Sequence, residues 1–272
     1  MNRVDGKIAV VTGGTQGLGE AIAKAFASVG AAGIIICGRN TDKGKKVLTE
    51  LKSKFGIKCD YVRADLKNVK DCRLVIRRAD ELFGRVDLLV NAAGVTDRGN
   101  LLNTSEELFD TTFAVNTKAP FFLMQESVKI MIREKVEGSI INIGSIAALT
   151  GQPFIAPYCA SKGALATLTR NSAYALLRNR IRVNQLNIGW MASEGEDRIQ
   201  KAYHDADDNW LKEASAKLPF GRLIEPEEIA KAVCFLASND SGLMTGSVIN
   251  FDQSVWGGCS SSPPTPERAL KF

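Results

Sequence analysis

The passage from Lys7 to Val29 narrows the fold more than any other. A short apolar run, K-I-A-V-V-T, opens into G-G-T-Q-G-L-G and then into a helix-forming stretch from Glu20. Strand, glycine turn and helix in that order make the opening unit of a parallel α/β sheet. The glycines also indicate what the turn is for. Gly13 permits the tight turn, Gly17 lets backbone approach a pyrophosphate, and Gly19 lets the helix lie close on the strand, while free N–H groups at the helix start attract phosphate. A dinucleotide is the expected ligand.

Strand and helix then alternate. Strands are expected at Gly33–Cys37, Lys58–Arg63, Val86–Val90, Ser139–Ile143, Ile181–Asn187 and Ser247–Phe251. Between them lie helical stretches at Asp42–Lys54, Val69–Phe83, Ser105–Thr117, Ala119–Arg133, Tyr158–Leu177 and Pro226–Ala237. This rhythm predicts an α/β protein with a doubly wound parallel sheet and helices on both faces. At 272 residues the chain suffices for one such domain, assigned to residues 1–258, with a Ser/Pro-rich tail at 259–272.

Ligands of such sheets collect at the carboxyl ends of the strands, so the residues there are the binding candidates. The second strand ends in Gly38-Arg39-Asn40, where no carboxylate stands to hold a ribose 2′-hydroxyl. Arg39 offers a planar fork to a 2′-phosphate, which favours NADP with NAD as the alternative, although Gln16 adds no second cation. Asp65, in Ala64-Asp65-Leu66, is placed to meet an adenine amino group or to cap the next helix. Asn91-Ala92-Ala93-Gly94 ends its strand in small residues that let a cofactor lie on backbone.

The chemistry sits between Ser145 and Lys162. Tyr158 and Lys162 are four residues apart in a stretch with few helix breakers, which puts phenol and ammonium on one helical face. A phenol is a poor base at neutral pH, and a cation held beside it favours the phenolate. Ser145, at the end of its strand, is placed to hold the oxygen that gains or loses the proton. Asn116, at the expected junction of two helices, would need hydrogen-bond partners if buried.

Composition excludes several classes. The net charge of +5 comes from scattered Lys and Arg with no basic stripe, so no nucleic-acid partner is expected. No apolar run reaches membrane-spanning length, and the N-terminus has no signal-peptide layout. The six cysteines are widely spaced and His204 is the single histidine, so no metal site is expected and reduced thiols suggest a cytoplasmic protein.

T-G-G-T-Q-G-L-G, N-A-A-G, and Ser145 thirteen residues before Y-C-A-S-K together resemble the short-chain dehydrogenase/reductase family, in its variant of about 250 residues. The resemblance spans Lys7 to about Gly257 and implies a Rossmann fold with a seven-stranded sheet, a nicotinamide cofactor and a homotetramer, or a homodimer. It implies Tyr158 as general acid/base, Lys162 as the residue that holds the nicotinamide ribose and lowers the tyrosine pKa, and Ser145 as the residue orienting the reacting oxygen. Asn116 takes the family's fourth catalytic position, supporting a water that links the lysine to solvent. Cofactor contacts are implied at Gly13, Thr15, Gln16, Gly17, Leu18, Gly19, Arg39, Asp65, Leu66, Asn91, Ala92, Gly94, Tyr158, Lys162, Ile188 and Ser193. The chain departs from the family at Ile188-Gly189, where Pro-Gly is usual. It departs again at Asp252-Gln253-Ser254, whose extra side chains are expected at a subunit interface or reaching a neighbouring active site.

Family specificity resides in the insert after the sixth strand, here a lid of about 190–218. Its first part, Trp190–Glu213, holds seven carboxylates and three basic residues besides Trp190, Tyr203, His204 and Trp210. Aromatic faces beside carboxylates suit a polyhydroxylated ligand, whereas a charged outer face with inward Trp would be ordinary lid packing. Trp190 is expected at the substrate. Arg98 is placed to bind an anionic substrate group or to pair with a nearby acid. The expected reaction is hydroxyl–carbonyl interconversion on a sugar, polyol or sugar acid. A 3-oxoacyl or other ketone reductase is the catalytic alternative, and a dinucleotide-sensing scaffold the non-catalytic one.

Overall fold

The computed structural model of the chain describes residues 2–256, so the expected tail at 259–272 lies outside the described residues. The strands are β1 (Ile8–Thr12), β2 (Gly33–Gly38), β3 (Lys58–Arg63), β4 (Leu88–Asn91), β5 (Ser139–Ser145), β6 (Arg182–Ile188) and β7 (Val248–Phe251). The helices are α1 (Gly17–Ser28), α2 (Thr41–Phe55), α3 (Val69–Phe83), α4 (Glu106–Phe113), α5 (Ala119–Arg133), α6 (Ala156–Ala175), α7 (Glu194–Tyr203), α8 (Trp210–Ala216) and α9 (Pro226–Ala237). All seven strands join one parallel sheet in the order β3-β2-β1-β4-β5-β6-β7. The expected single-domain doubly wound sheet is the observed one.

Alternate strand residues feed opposite faces. Ala9, Val11, Ile34 and Ile36 pack with Ile22 and Phe26 of α1, Leu51 of α2 and Val233 of α9. Val10 and Ile35 pack on the other side with Val75 and Ile76 of α3 and Leu123 and Met131 of α5. Burial on both faces makes the central strands continuous apolar runs, each large side chain contributing about 1.5–3 kcal/mol. The order reverses between β1 and β4, which opens a crevice beyond their carboxyl ends.

Two boundaries differ from expectation in ways that matter. Helix α1 begins at Gly17, inside the glycine turn, so its first N–H groups belong to the crevice. The expected break near residue 117 is absent: α4 passes through a π-helical turn, Ala114–Lys118, directly into α5. There the Ala119 N–H bonds the Ala114 carbonyl five residues back, and Pro120 has no N–H to offer the carbonyl of Asn116. Proline thus widens the helix instead of ending it.

Gln253, one of the extra side chains near the C-terminus, makes bonds within its own chain. Gln253 accepts from the Phe220 N–H and donates to the Arg222 carbonyl, both at 2.9 Å, which ties the end of the insert to the segment after β7. Asp252 packs against Gly189, where any side chain would collide with it.

Candidate active site

A cleft of about 1210 Å³ runs from the glycine turn, across the ends of β1, β4 and β5, to the insert. At the first end, Gly13 takes φ +66° and a Cβ there would stand 3.0 Å from Ala93 Cα, so only glycine allows the β1 and β4 ends to close together. Thr12 stitches the same junction, its hydroxyl accepting from the N–H groups of Ala92 (3.0 Å) and Ala93 (3.1 Å). Gln16 is the N-cap of α1 but makes no capping bond, so the helix N-terminus keeps free donors, and nothing fills the space beside Gly17. That is an anion-binding cradle, and a dinucleotide pyrophosphate fits it.

Arg39 is exposed at the end of β2 with no carboxylate partner among the described residues. A second cation meets two residues of the cleft wall: Lys43 donates to Gln16 Oε1 at 2.7 Å and lies 3.7 Å from Glu194 of α7. Lys43 is not legible in the sequence, because its ammonium meets Gln16, 27 residues away, only in the assembled fold. Asp65 does not cap α3. It accepts from the Lys67 N–H at 3.1 Å, while Asn68 is the N-cap. Leu18, Gly19, Thr15, Asp65, Leu66, Ala92, Gly94, Ile188 and Ser193 all border the cleft.

Asn91 does not. Its side chain turns into the sheet, donating to Asn142 Oδ1 at 2.8 Å, because the last residue of β4 presents that face to β5. Asn116 is also outside the cleft wall. It is fully buried in the π-turn, bonds the Val95 backbone both ways at 3.0 and 2.9 Å, and donates to Ser161 Oγ at 3.1 Å. Its side chain therefore clamps the loop after β4 to α6. A Cβ on Gly94 would lie 3.4 Å from Asn116 Oδ1 and 3.7 Å from Lys162 Nζ, so the glycine keeps the space over both open.

Tyr158, Lys162 and Ser145 meet in the middle of the cleft. Lys162 is buried with no carboxylate partner among the described residues, donates to the Ile143 carbonyl at 2.8 Å, and has its pKa lowered to about 8 by burial. Its ammonium lies over the Tyr158 ring, 5.7 Å from the centroid. Sequence reasoning expects this cation to draw the phenol toward neutrality; in the protein itself burial prevails and pushes Tyr158 up to about 12, with the Ser145 hydroxyl pulling the other way. Ser145 Oγ accepts from the Ala147 N–H at 3.1 Å, which leaves its own hydrogen to donate into the cleft.

At the far end Trp190 and Trp210 divide their duties. Trp210 is buried against Ala214 and Leu223, the ordinary packing role, and donates to Asp197 at 2.8 Å. Trp190 borders the cleft and donates to Glu196 Oε1 at 2.8 Å, an oxygen that also accepts from Gln200 at 2.7 Å. Arg98 pairs with no acid among the described residues; its guanidinium meets His204.

This arrangement has relatives. The family model described as enoyl-(acyl carrier protein) reductase matches residues 13–255. The chain belongs to the short-chain dehydrogenase/reductase family. As a member of that family it is an oxidoreductase. An uncharacterized oxidoreductase of Thermotoga maritima is 39% identical over 247 residues, 91% of this chain and 96% of that one. The 3-oxoacyl-[acyl-carrier-protein] reductase FabG of Rickettsia prowazekii is 33% identical over 90% of this chain and 95% of its own. The solved structure of L-sorbose reductase from Gluconobacter frateurii, complexed with NADPH and L-sorbose, superposes with a TM-score of 0.86 at 27% identity, covering 93% of this chain and 98% of that one. Among the described residues of this family member, no helix is long and apolar enough to cross a membrane.

Proposed function

We propose that the cleft interconverts a hydroxyl and a carbonyl on a sugar, polyol or sugar acid, with Tyr158 as general acid/base and NADP favoured over NAD. The observation that carries the chemistry is Tyr158 beside a buried ammonium with no carboxylate counter-charge among the described residues, in one cleft with an uncapped helix N-terminus. The dinucleotide, held by the glycine turn, Arg39 and Lys43, would supply or accept the hydride. Ser145 donates its hydroxyl hydrogen to the reacting oxygen. In reduction Tyr158 delivers its proton to that oxygen; in oxidation its phenolate takes the proton, with Lys162 favouring the phenolate once a further positive charge offsets the cost of burial. Asn116 acts as a positioning residue, holding the loop over Lys162 and supporting the water link to solvent.

The sugar reading rests on Glu196. One of its oxygens is engaged by Trp190 and Gln200, while Oε2 has no partner among the described residues and suits a substrate hydroxyl. An indole face beside it suits the C–H side of a sugar. The FabG relative favours a second reading, reduction of a 3-oxoacyl or other ketone. Residues 190–218 act as the lid in either case. Exposed aromatics on α4 and α5, Phe109 and Phe121, support assembly into a homotetramer, and the free cysteines among the described residues support a cytoplasmic setting.

The test is absorbance at the reduced-nicotinamide band with NADP or NAD and a panel of sugars, polyols and sugar acids, then hydrophobic ketones with NADPH. Turnover of one sugar class supports the reading. Silence on sugars with reduction of ketones replaces it by the second.

A further inference from the structure

Three segments that are remote in sequence converge at the insert end of the cleft. Arg98 lies in the loop after β4, Phe154 just before α6, and His204 just after α7, and all three border the cleft. The Arg98 guanidinium donates to the Thr96 carbonyl at 2.9 Å, and both its Nε and its Nη2 lie 3.1 Å from a single atom, Nε2 of His204. Phe154 holds the pair, its ring centroid 5.5 Å from the guanidinium carbon and 5.9 Å from the His204 ring, which meets it edge-on.

The contact is mismatched in a way that points to a ligand. A guanidinium edge presents two parallel N–H groups whose spacing suits the two oxygens of a carboxylate, whereas a neutral imidazole nitrogen has one lone pair. Two donors share one imidazole nitrogen, and among the described residues no carboxylate lies within ion-pair range of Arg98. Its charge also reaches the reaction centre, since Arg98 and Glu196 both act on the Tyr158 phenol with opposite sign. The cleft therefore offers, around the reacting tyrosine, an acceptor for hydroxyls at Glu196 and a cationic fork at Arg98.

We propose that Arg98 is the seat for a carboxylate carried by the substrate, with His204 as the positioning residue that occupies the fork and holds it at the cleft wall until the substrate arrives, so that the enzyme prefers polyhydroxy acids to the matching neutral polyols. The proposal rests on the sugar reading above. On binding, the fork exchanges the imidazole nitrogen for two carboxylate oxygens, a stronger and charge-assisted pairing. The His204 ring stays against Phe154 as part of the wall.

The experiment measures kcat/KM for matched pairs, gluconate against glucitol and galactonate against galactitol, with the full chain and NADP or NAD. The acid of a pair is expected to exceed the polyol by about 30-fold, the scale of a charge-assisted bidentate contact. Arg98→Gln should collapse that ratio to near one. His204→Ala should raise KM for the acid several-fold with kcat held, and His204→Gln, which keeps an acceptor on the side chain, should restore it. Equal turnover of acid and polyol, or a loss in Arg98→Gln that is the same for both, overturns the carboxylate seat while leaving the sugar reading intact. No turnover of any pair, with or without reduction of hydrophobic ketones, overturns the sugar reading and this proposal with it.

Discussion

The glycine-turn end of the cleft is walled by backbone: strand ends closed by Thr12 and Gly13, an uncapped helix start, and residues with little or no side chain at Ala92, Ala93 and Gly94. The insert end is walled by side chains that meet across long sequence distances, as Arg98 and His204 do over 106 residues. A backbone wall requires small residues at fixed local spacing and tolerates few substitutions. A side-chain wall can be rebuilt one residue at a time without disturbing the sheet, which lets one scaffold serve many substrates. Between the two stand Tyr158 and Lys162 on α6, and the comparison is tested first there.

Tyr158→Phe should lower kcat by about 10³-fold, the scale of lost general acid–base catalysis, while NADPH affinity read by fluorescence stays unchanged. With the phenol pushed up to about 12 in the free protein, Tyr158 holds its proton at neutral pH. Reduction should then be flat between about pH 6 and 8, and oxidation should climb with pH as the phenolate fraction grows. Retained turnover in the variant, or an oxidation rate that falls over that range, would remove Tyr158 from the proposed role.

Lys162→Met separates function from stability. A lysine whose folded pKa is about 8 binds its proton less readily than in the unfolded chain. The burial penalty is therefore fully present below about pH 8 and fades as pH rises toward about 10.5. Allowing for the lost bond to Ile143, removing the ammonium should stabilise the fold at pH 7 by about 1–2 kcal/mol, or about 2–6 °C in Tm, while turnover collapses. The gain should shrink above pH 8. A lower Tm at pH 7 would mean that Lys162 holds the fold together and is not a strained functional group.

At the glycine-turn end, Arg39→Ala should weaken NADPH about tenfold and leave NADH nearly as before, since only the former carries the 2′-phosphate, with Lys43→Ala adding a smaller loss in the same direction. Equal weakening of both cofactors would show that these cations serve structure. Glu194 beside Lys43 makes the second loss the smaller one, because that ammonium is already partly matched by a carboxylate.

What could be read from the chain follows the same division. The sheet, its order of elements and the glycine turn were legible because each depends on neighbours a few residues apart: alternating burial, a helix start, a turn that only glycine can make. The Tyr158–Lys162 pair was legible for the same reason, being one helical turn. The electrostatic outcome was not, since desolvation of the phenol depends on how deeply the assembled cleft buries it. The direction of the Asn91 side chain was not legible either, because the pleat decides which way a strand's last residue points, and that phase is set by β5. The Arg98–His204 contact, the reach of Lys43 to Gln16 and the role of Gln253 are products of tertiary assembly with no local signature.

Gln253 provides the finest test of the comparison. Its amide bonds the Phe220 N–H and the Arg222 carbonyl, both at 2.9 Å, and so fastens the downstream end of the insert to the chain just past β7. Neither bond touches the glycine turn, and both are near the surface, so Gln253→Ala should lower stability by no more than about 1 kcal/mol. The larger consequence should be positional. An insert end released from Gln253 samples more arrangements around Trp190 and Glu196, and a substrate must select the competent one, which raises KM by the inverse of its population. A two- to five-fold rise in KM with kcat and cofactor affinity held is the expected result. Should cofactor affinity fall in step with KM, the two ends of the cleft would be mechanically coupled through β7, and the division between a fixed backbone wall and an adjustable side-chain wall would no longer describe this enzyme.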